Sequence, residues 1–573
     1  SSDIFKMFDK LIIMDTGGYM IYNGNPVESI EYFKRKIGQA NYNESECYAC
    51  GNVNPEQIFN IVETRVFTES GKPTETRRIS PEDWNNLYIS EKKEEKADTI
   101  KELPEINFRT PGKLKQLLIF TQRDIVSKLA DLQYIVITLL EAPVLAFFLA
   151  YLIRYFDIST RNGGYTLYDN SNLPVYIFMS VIVAIFMGLT VSAEEIIKDR
   201  KILKREAFLN LSWNSYLLSK VFVQFGISAI QALSFVLIGN AIIGIREMTF
   251  QYWLVLFSCW ASANMLGLVI SDSFKAVVTI YILIPFLVIP QIILSGVLVK
   301  FEKLNPAISS PVTIPAYGET ITARWGYEAL AVNQFVNNRY ERGFYRYDKA
   351  MSKARYKKDY WYSELKGYLE SVITSIDRDN RDEEFRDKLL VVSNEIRKEM
   401  SILPEIEFPE ADLLTPERIT ADVAAGAINW LNSVRAYYIS YYNNANNQKD
   451  KLITRMEAED REGFRKLREN YYNKSLEESV LAKNEDQKTI VYKGEIIQKL
   501  EPVFMDPSAP FIRAHFYAPR KKIFGMFAGT FAVNVGVIWF MTAILYLALY
   551  FRVLKRILDM VGTITGKKTK LVD

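Results

Sequence analysis

Cys47-Tyr48-Ala49-Cys50 sets two thiols at the spacing of half a zinc knuckle. Structural zinc takes four ligands, and the remaining cysteine, Cys259, falls inside an apolar run. The pair therefore reads in two ways: as part of a zinc site completed by another chain or by upstream residues, or as a reduced pair without metal. Glu141 lies inside another apolar run, two residues before Pro143. A carboxylate at the centre of a membrane helix costs roughly 2.5–3.5 kcal/mol on insertion scales. Glu141 is thus expected to face a bundle interior or water, either against a substrate or a partner-chain charge, or protonated against a neighbouring helix. Lys198, Asp199, Arg200, Lys201, Lys204, Arg205 and Glu206 alternate in sign at helical spacing, which suits a solvated basic anchor or a short helix that relays force. His515 is the one histidine. That argues against a His-based metal site or a Ser-His-Asp triad within the chain, and no catalytic residue is assigned.

The elements holding these residues are mostly apolar. A membrane-crossing helix needs about 20 mainly apolar residues, and such spans are expected near 134–153, 173–193, 216–243, 251–270, 276–299 and 523–551. Asn240, Asn264 and Asn534 fall within them, where interhelical hydrogen bonds contribute about 0.6–2 kcal/mol. Asp272 and Lys275 flank the turn between spans four and five and are spaced to pair. The net charge of +3, with no basic stripe, argues against a nucleic-acid partner. Three cysteines make no disulfide framework.

Orientation follows from Lys and Arg in the short loops. They crowd before span one (Lys113, Lys115, Arg123, Lys128), between spans two and three, and after span six (Arg552, Lys555, Arg556, Lys567, Lys568, Lys570). Loops 154–172 and 244–250 are poorer in them. Both termini are therefore expected in the cytoplasm, and the long 300–520 segment outside.

Near the start of the chain, Lys10-Leu11-Ile12-Ile13-Met14 suits a buried strand, Asp15-Thr16-Gly17-Gly18 a turn, Tyr19 to Tyr22 a returning strand, and Val27 to Ile37 a helix. Between spans five and six, segments 352–375, 382–401, 418–442 and 447–482 read as amphipathic helices. Asp412 and Thr415-Pro416-Glu417 supply expected helix starts. This region is long enough to bury its own core, and no nucleophile–base constellation is visible in it.

The run from Ser1-Ser2-Asp3-Ile4-Phe5 to Phe8-Asp9-Lys10-Leu11-Ile12-Ile13-Met14, followed by Gly18-Tyr19-Met20-Ile21-Tyr22-Asn23-Gly24, resembles the end of an ATP-binding cassette of the G (White-type) subfamily of ABC transporters. In that family a His-Gln-Pro-Ser-Ser run precedes Phe-Asp-Lys-Leu. The resemblance continues in Gln122-Arg123-Asp124 with Lys128, similar to the family's connecting helix. Residues 193–220 are similar to its coupling-helix loop. Arg324-Trp325-Gly326-Tyr327-Glu328-Ala329-Leu330 is similar to its Arg-Tyr-x-x-Glu-Ala-Leu run. The long 340–510 insertion departs from the family pattern.

The resemblance implies a mainly α membrane protein: six transmembrane helices of the ABC-2 (type II exporter) kind, a small α/β remnant of a nucleotide-binding domain, and a large helical extracytoplasmic insertion. The expected division is a cassette remnant over 1–40, a cytoplasmic linker over 41–111, the connecting helix and spans one to five over 112–338, the insertion over 339–515, and span six with a cytoplasmic tail over 516–573. The resemblance further implies the permease part of an ATP-driven exporter of a hydrophobic, amphipathic or lipid-like small molecule, working in the bilayer beside a second half-transporter. ATP and Mg would bind upstream, since no G-x-x-x-x-G-K-[ST] motif occurs here. The alternative reading is a mechanotransmission or docking protein whose insertion engages an envelope partner. A bacterial inner membrane is the expected location.

Overall fold

The computed structural model describes residues 2–43, 53–68, 71–92, 110–156, 164–310, 313–485, 487–507, 509 and 511–569. Cys47 and Cys50 lie outside the described residues. The chain divides into two compact units, Ser1–Phe108 and Arg109–Asp573.

In the first unit, a short helix α1 (Ser2–Lys6) precedes a hairpin of β1 (Leu11–Asp15) and β2 (Tyr19–Gly24). Gly17 and Gly18 close it at φ 87° and 84°, values glycine adopts without a Cβ penalty. Helix α2 (Pro26–Lys36) starts where the Asn25 side chain accepts a hydrogen bond from Val27 N at 2.9 Å, with Pro26 in its first turn. Helix α3 (Glu56–Val62), strands β3 (Arg65–Phe67) and β4 (Pro73–Arg77), and helix α4 (Pro81–Glu91) follow. Ile21, Ile30 and Phe33 share one core with Ile58, Ile61 and Trp84, and the Phe33 and Trp84 rings meet edge to face at 5.2 Å. Arg77 reaches Asp15 at 2.7 Å. The expected boundary at residue 40 is therefore absent among the described residues. Residues 53–68 and 71–92 supply Ile58, Ile61 and Trp84 to the core beneath the hairpin instead of acting as a linker.

The second unit is built on apolar helices. Amphipathic α5 (Lys113–Ala130) turns Gln116, Phe120 and Asp124 inward at a four-residue spacing and leaves Leu114, Leu118, Val126 and Leu129 outward. Then come α6 (Leu132–Ile153), α7 (Leu173–Ser192), short α8 (Glu195–Arg205), α9 (Trp213–Ile243) and α10 (Thr249–Ser273). Helix α7 packs on α10 through small residues. A Cβ on Gly188 would stand 2.6 Å from the Trp260 carbonyl oxygen, and Gly267 faces Ser192. Such residues let apolar helices approach closely where lipid offers no hydrophobic drive.

Among the described residues five helices are long and apolar enough to cross a membrane, including α6, α7, α9 and α10. The fifth expected span, 276–299, is the shorter α11 (Val277–Ile293). Its 17 residues carry Pro285 and Pro290, rise about 26 Å, and stop before Gly296, which turns at φ 78°. Helix α12 (Thr322–Val336) follows and is almost wholly buried. The sixth expected span begins later than position 523. Strands β7 (Arg520–Ile523) and β8 (Met526–Gly529) form a hairpin first, and the spanning helix is α18 (Thr530–Tyr550). Phe524 and Gly525 both take positive φ, the signature of a tight hairpin turn. Amphipathic α19 (Val553–Thr569) ends the described chain.

Between α12 and β7, helix α13 (Glu341–Arg355) runs through a π-helical turn at Tyr356–Trp361 into α14 (Tyr362–Asp377). Helix α15 (Glu383–Ile402) starts at an Asp382 cap. The helices expected at 418–442 and 447–482 follow one another in α16 (Ala421–Tyr471), which is unbroken through 443–447 and is divided only at Asp460, whose backbone is extended at φ −157° and ψ 93°. Thr420 caps it, not Asp412 or Thr415. It bends at Asp460, whose Oδ1 accepts from Gly463 N at 2.8 Å and so caps the second segment. Helix α17 (Lys474–Val480) and a hairpin of β5 (Thr489–Tyr492) and β6 (Glu495–Gln498) complete the layer. Its core holds Trp361, Leu365, Phe385, Val392, Trp430 and Leu431. The layer is clamped to the α6–α7 loop: Tyr168 N donates to the Glu469 carbonyl at 3.1 Å, and the Asn473 amide donates to the carbonyls of Leu167 and Asn170, each at 2.7 Å.

Candidate functional site

Two polar clusters sit in this apolar bundle. At the end carrying α5 and α8, Lys220 stands in the first turns of α9 and is buried. Its Nζ lies 2.5 Å from Asp124 Oδ1 on α5, and 3.2 Å from Glu195 Oε2 and 3.0 Å from Asp199 Oδ2 on α8. Lys128 closes the cluster at 2.5 Å from Glu195 Oε1, and the Tyr216 hydroxyl donates to Asp199 Oδ2 at 3.0 Å. Two ammonium groups thus hold three carboxylates. A buried lysine persists only when paired and hydrogen-bonded, so this cluster ties α5, α8 and the head of α9 into one rigid joint. Serine and arginine anchor α8 to α10. Ser271 Oγ accepts from Ile196 N and Ile197 N, and Arg200 Nη2 donates to the carbonyls of Asp272 and Phe274 at 3.1 and 2.8 Å.

Of the charge-alternating residues, Asp199, Arg200 and Glu206 are engaged; Glu206 accepts from Arg123 at 2.8 Å. Lys201, Lys204 and Arg205 lie on the same helix, and Lys198 pairs within it with Glu194. Asp272 pairs not with Lys275 but with Arg552 Nε, at 3.5 Å. Lys220, the common partner of α5 and α8, is the member of the cluster that the sequence pattern does not single out. The available signal was a single lysine at the head of an otherwise apolar span.

At the other end, α12 buries a second network. Glu328 Oε2 receives Lys521 Nζ at 2.7 Å and Asn534 Nδ2 at 2.9 Å. Lys521 also donates to Asn534 Oδ1 at 2.8 Å. Arg324 bonds Glu319 at 2.7 Å and stacks over Trp325, 3.8 Å from guanidinium carbon to ring centroid. Burial pushes the Lys521 ammonium down to about 8, against the pull of the Glu328 carboxylate. Tyr327 meets the Tyr517 hydroxyl at 3.3 Å. The expected motif Arg324, Trp325, Tyr327 and Glu328 is thus brought together, with Asn534 joining it from α18. The signal for Lys521 was a charge just before the last span.

Asn240 accepts from Tyr176 at 3.3 Å, joining α9 to α7, and Asn264 donates to Ser228 at 2.6 Å, joining α10 to α9. Glu141 is partly exposed on α6 and meets neither cluster. His515 Nε2 lies 2.8 Å from the Pro502 carbonyl. Among the described residues no group of three or more His, Cys, Asp or Glu side chains is arranged to hold a metal ion.

The chain is therefore a multi-pass integral membrane protein whose spans are joined to an amphipathic helix pair by a buried ion cluster. Residues 115–335 match the family described as ABC-2 type transporter, a stretch from α5 to the end of α12 that holds the first cluster and the α12 residues of the second. Over 184 residues the chain is 22% identical to ABC transporter G family member STR of Medicago truncatula. That similarity takes in 31% of this chain and 21% of the relative, so the chain spans about a fifth of the length of the curated relative it matches.

Proposed function

We propose that this chain is the permease part of an ATP-driven transporter of the G type, exporting a hydrophobic or amphipathic molecule. The observation that carries the reading is the joint of Lys220 with Asp124, Glu195 and Asp199. A helix resting against a nucleotide-driven motor needs a stiff connection to the spans, because coupling travels through packed, hydrogen-bonded elements. Helix α8 has one, shared with α5. The α5–α8 end is assigned to the cytoplasm, where the basic loops favour it, and the insertion to the outer side. ATP and Mg are bound by the ATP-binding cassette that works with this permease, and a second copy or a related half-transporter completes the path. ATP then acts by favouring one arrangement of the spans over another.

The test is movement of a fluorescent lipid across proteoliposomes carrying the native full-length protein. ATP-dependent movement that stops on vanadate addition is expected. Movement that is equal with and without ATP would remove the reading.

A further inference from the structure

The insertion layer and the bundle enclose a cavity of about 1820 Å³, larger than the roughly 300–1,000 Å³ of ordinary small-molecule pockets. Its floor is apolar: Val175, Phe178 and Met179 at the start of α7, and Ile292, Leu298 and Phe301 at and beyond the end of α11. Phe178 and Phe301 are buried, whereas Val175 and Leu298 are 50% and 67% exposed. Phe286, Ile289 and Ile293 carry the same apolar surface down α11. Below the floor, α11 therefore presents an exposed apolar face on which an acyl chain could lie.

The opposite wall is basic. Helix α13 lines the cavity with Arg346, Lys349 and Lys353, three and seven residues apart and so on one helical face. Lys349 is held by Asp506 at 2.7 Å. Arg346, Lys353 and, from the loop before β7, Arg513 form no ion pair with a described residue and are exposed. The carboxylates lining the cavity are almost all engaged: Glu302 by Lys499, Glu319 by Arg324, Glu485 by Lys300, Glu495 by Lys398 and Asp506 by Arg520. Glu395 accepts from Trp361 Nε1 at 2.7 Å and Ile496 N at 3.0 Å. Glu478 alone has no ion-pair partner among the described residues. Arg346 donates to the Tyr347 hydroxyl, a neutral partner, so three cations without an ion pair stand against one such carboxylate and leave the wall positive, above a floor that suits hydrocarbon.

We infer that this cavity binds a lipid-like amphiphile with an anionic headgroup, its chain on Phe178 and Leu298 and its headgroup on Arg346, Lys353 and Arg513. Neither an apolar molecule nor a bare anion uses both surfaces. The inference rests on the transporter reading for its meaning, since it names the class of cargo, but occupancy itself needs no nucleotide.

The experiment uses the full chain in phosphatidylcholine nanodiscs without nucleotide, with a fluorescent lysophosphatidylglycerol as probe and anisotropy as readout. It is expected to bind at least about tenfold more tightly than the matching lysophosphatidylcholine, as charge-assisted hydrogen bonds would give. The combined Arg346→Gln, Lys353→Gln and Arg513→Gln variant is expected to lose that preference. These side chains are exposed, so the variant should fold; its elution and melting profile check this. Leu298→Glu is expected to weaken both probes. Equal binding of both lipids by the native chain, or an unchanged preference in the triple variant, overturns the inference. Displacement by inorganic phosphate at the same concentration as unlabelled lysophosphatidylglycerol also overturns it, reducing the cavity to an anion site. Binding without ATP-driven movement in proteoliposomes would instead sink the transporter reading and leave the site standing.

Discussion

Lys521 Nζ and Glu328 Oε2 lie 2.7 Å apart with both side chains wholly buried, one on the hairpin before the last span and the other on α12. The pair fixes where α18 begins, because Lys521 also grips Asn534 one turn into that helix. Removing one partner of a buried pair leaves an uncompensated charge and costs about 3–5 kcal/mol. Lys521→Met or Glu328→Gln should each lower the apparent melting temperature sharply. The double variant Lys521→Met with Glu328→Gln should recover part of that loss. Melting curves of the three purified variants check this; additive losses would show that the two side chains do not act as a pair.

A second expectation concerns the joint at Lys220. Lys220→Met leaves Asp124, Glu195 and Asp199 facing one another with only Lys128 to balance them. The link between α8 and α9 should loosen, changing coupling by about 1–2 kcal/mol. ATP-driven lipid movement should fall by roughly five- to thirtyfold. Asp199→Asn leaves Lys220 paired with Asp124 and Glu195 and should do less. Transport rates per unit of folded protein in proteoliposomes decide it; an undiminished rate in Lys220→Met would remove the joint from the coupling path.

The long spans α6, α7, α9 and α10 were legible because a run of about 20 residues with at most one charge, such as Glu141 in α6 or Lys220 in α9, has few other uses. The start of α18 was not. Ile523, Met526 and Phe527 read as the head of a span, and only the positive φ of Phe524 and Gly525 reveals a hairpin. The continuity of α16 was hidden by Asn443-Asn444-Ala445-Asn446-Asn447, poor helix formers that read as a break. The structure buries Ala445 and tertiary packing overrides the propensity. Residues 53–92 looked like a linker because their few apolar side chains, Trp84 above all, fill a core whose other half is α2. For the joint, α8 was readable from its alternating charges, but Lys220 meets Asp124 and Glu195 at separations of 96 and 25 residues, beyond any local pattern.

Close packing of α7 on α10 predicts a sharp contrast between glycines. A methyl at Gly188 would stand 2.6 Å from the Trp260 carbonyl oxygen and 2.7 Å from Ala263 Cβ, so Gly188→Ala must push two helices apart. Overpacking of this kind costs about 1–3 kcal/mol. Gly226, inside α9, has nothing within 4 Å of an added methyl. Gly226→Ala should be neutral or raise stability by up to about 1 kcal/mol through reduced chain entropy. Melting temperatures of the two purified variants provide the comparison, and equal behaviour would show that the α7–α10 approach has no energetic consequence.

The pH dependence of the insertion turns on Glu341, the first residue of α13. Burial raises its carboxyl to about 9; Asp348 and Glu477 reinforce the shift, and Lys449 opposes it. Lys449 is itself committed to Asp348 at 2.5 Å, and burial also raises Asp348. Glu341 therefore stays protonated in the folded chain at neutral pH, hydrogen-bonded to Asp348, while the unfolded chain would release that proton near the ordinary carboxylate value. The folded state binds more protons across this window, so stability must fall as pH rises. The contribution is complete below the unfolded value and is lost progressively as pH approaches about 9. Glu341→Gln keeps the shape without the titration. It should melt with the native chain at pH 5 and a few degrees above it at pH 8.5. Parallel melting curves for the two proteins across that range would mean that Glu341 is already ionised in the folded insertion, with Lys449 holding both carboxylates.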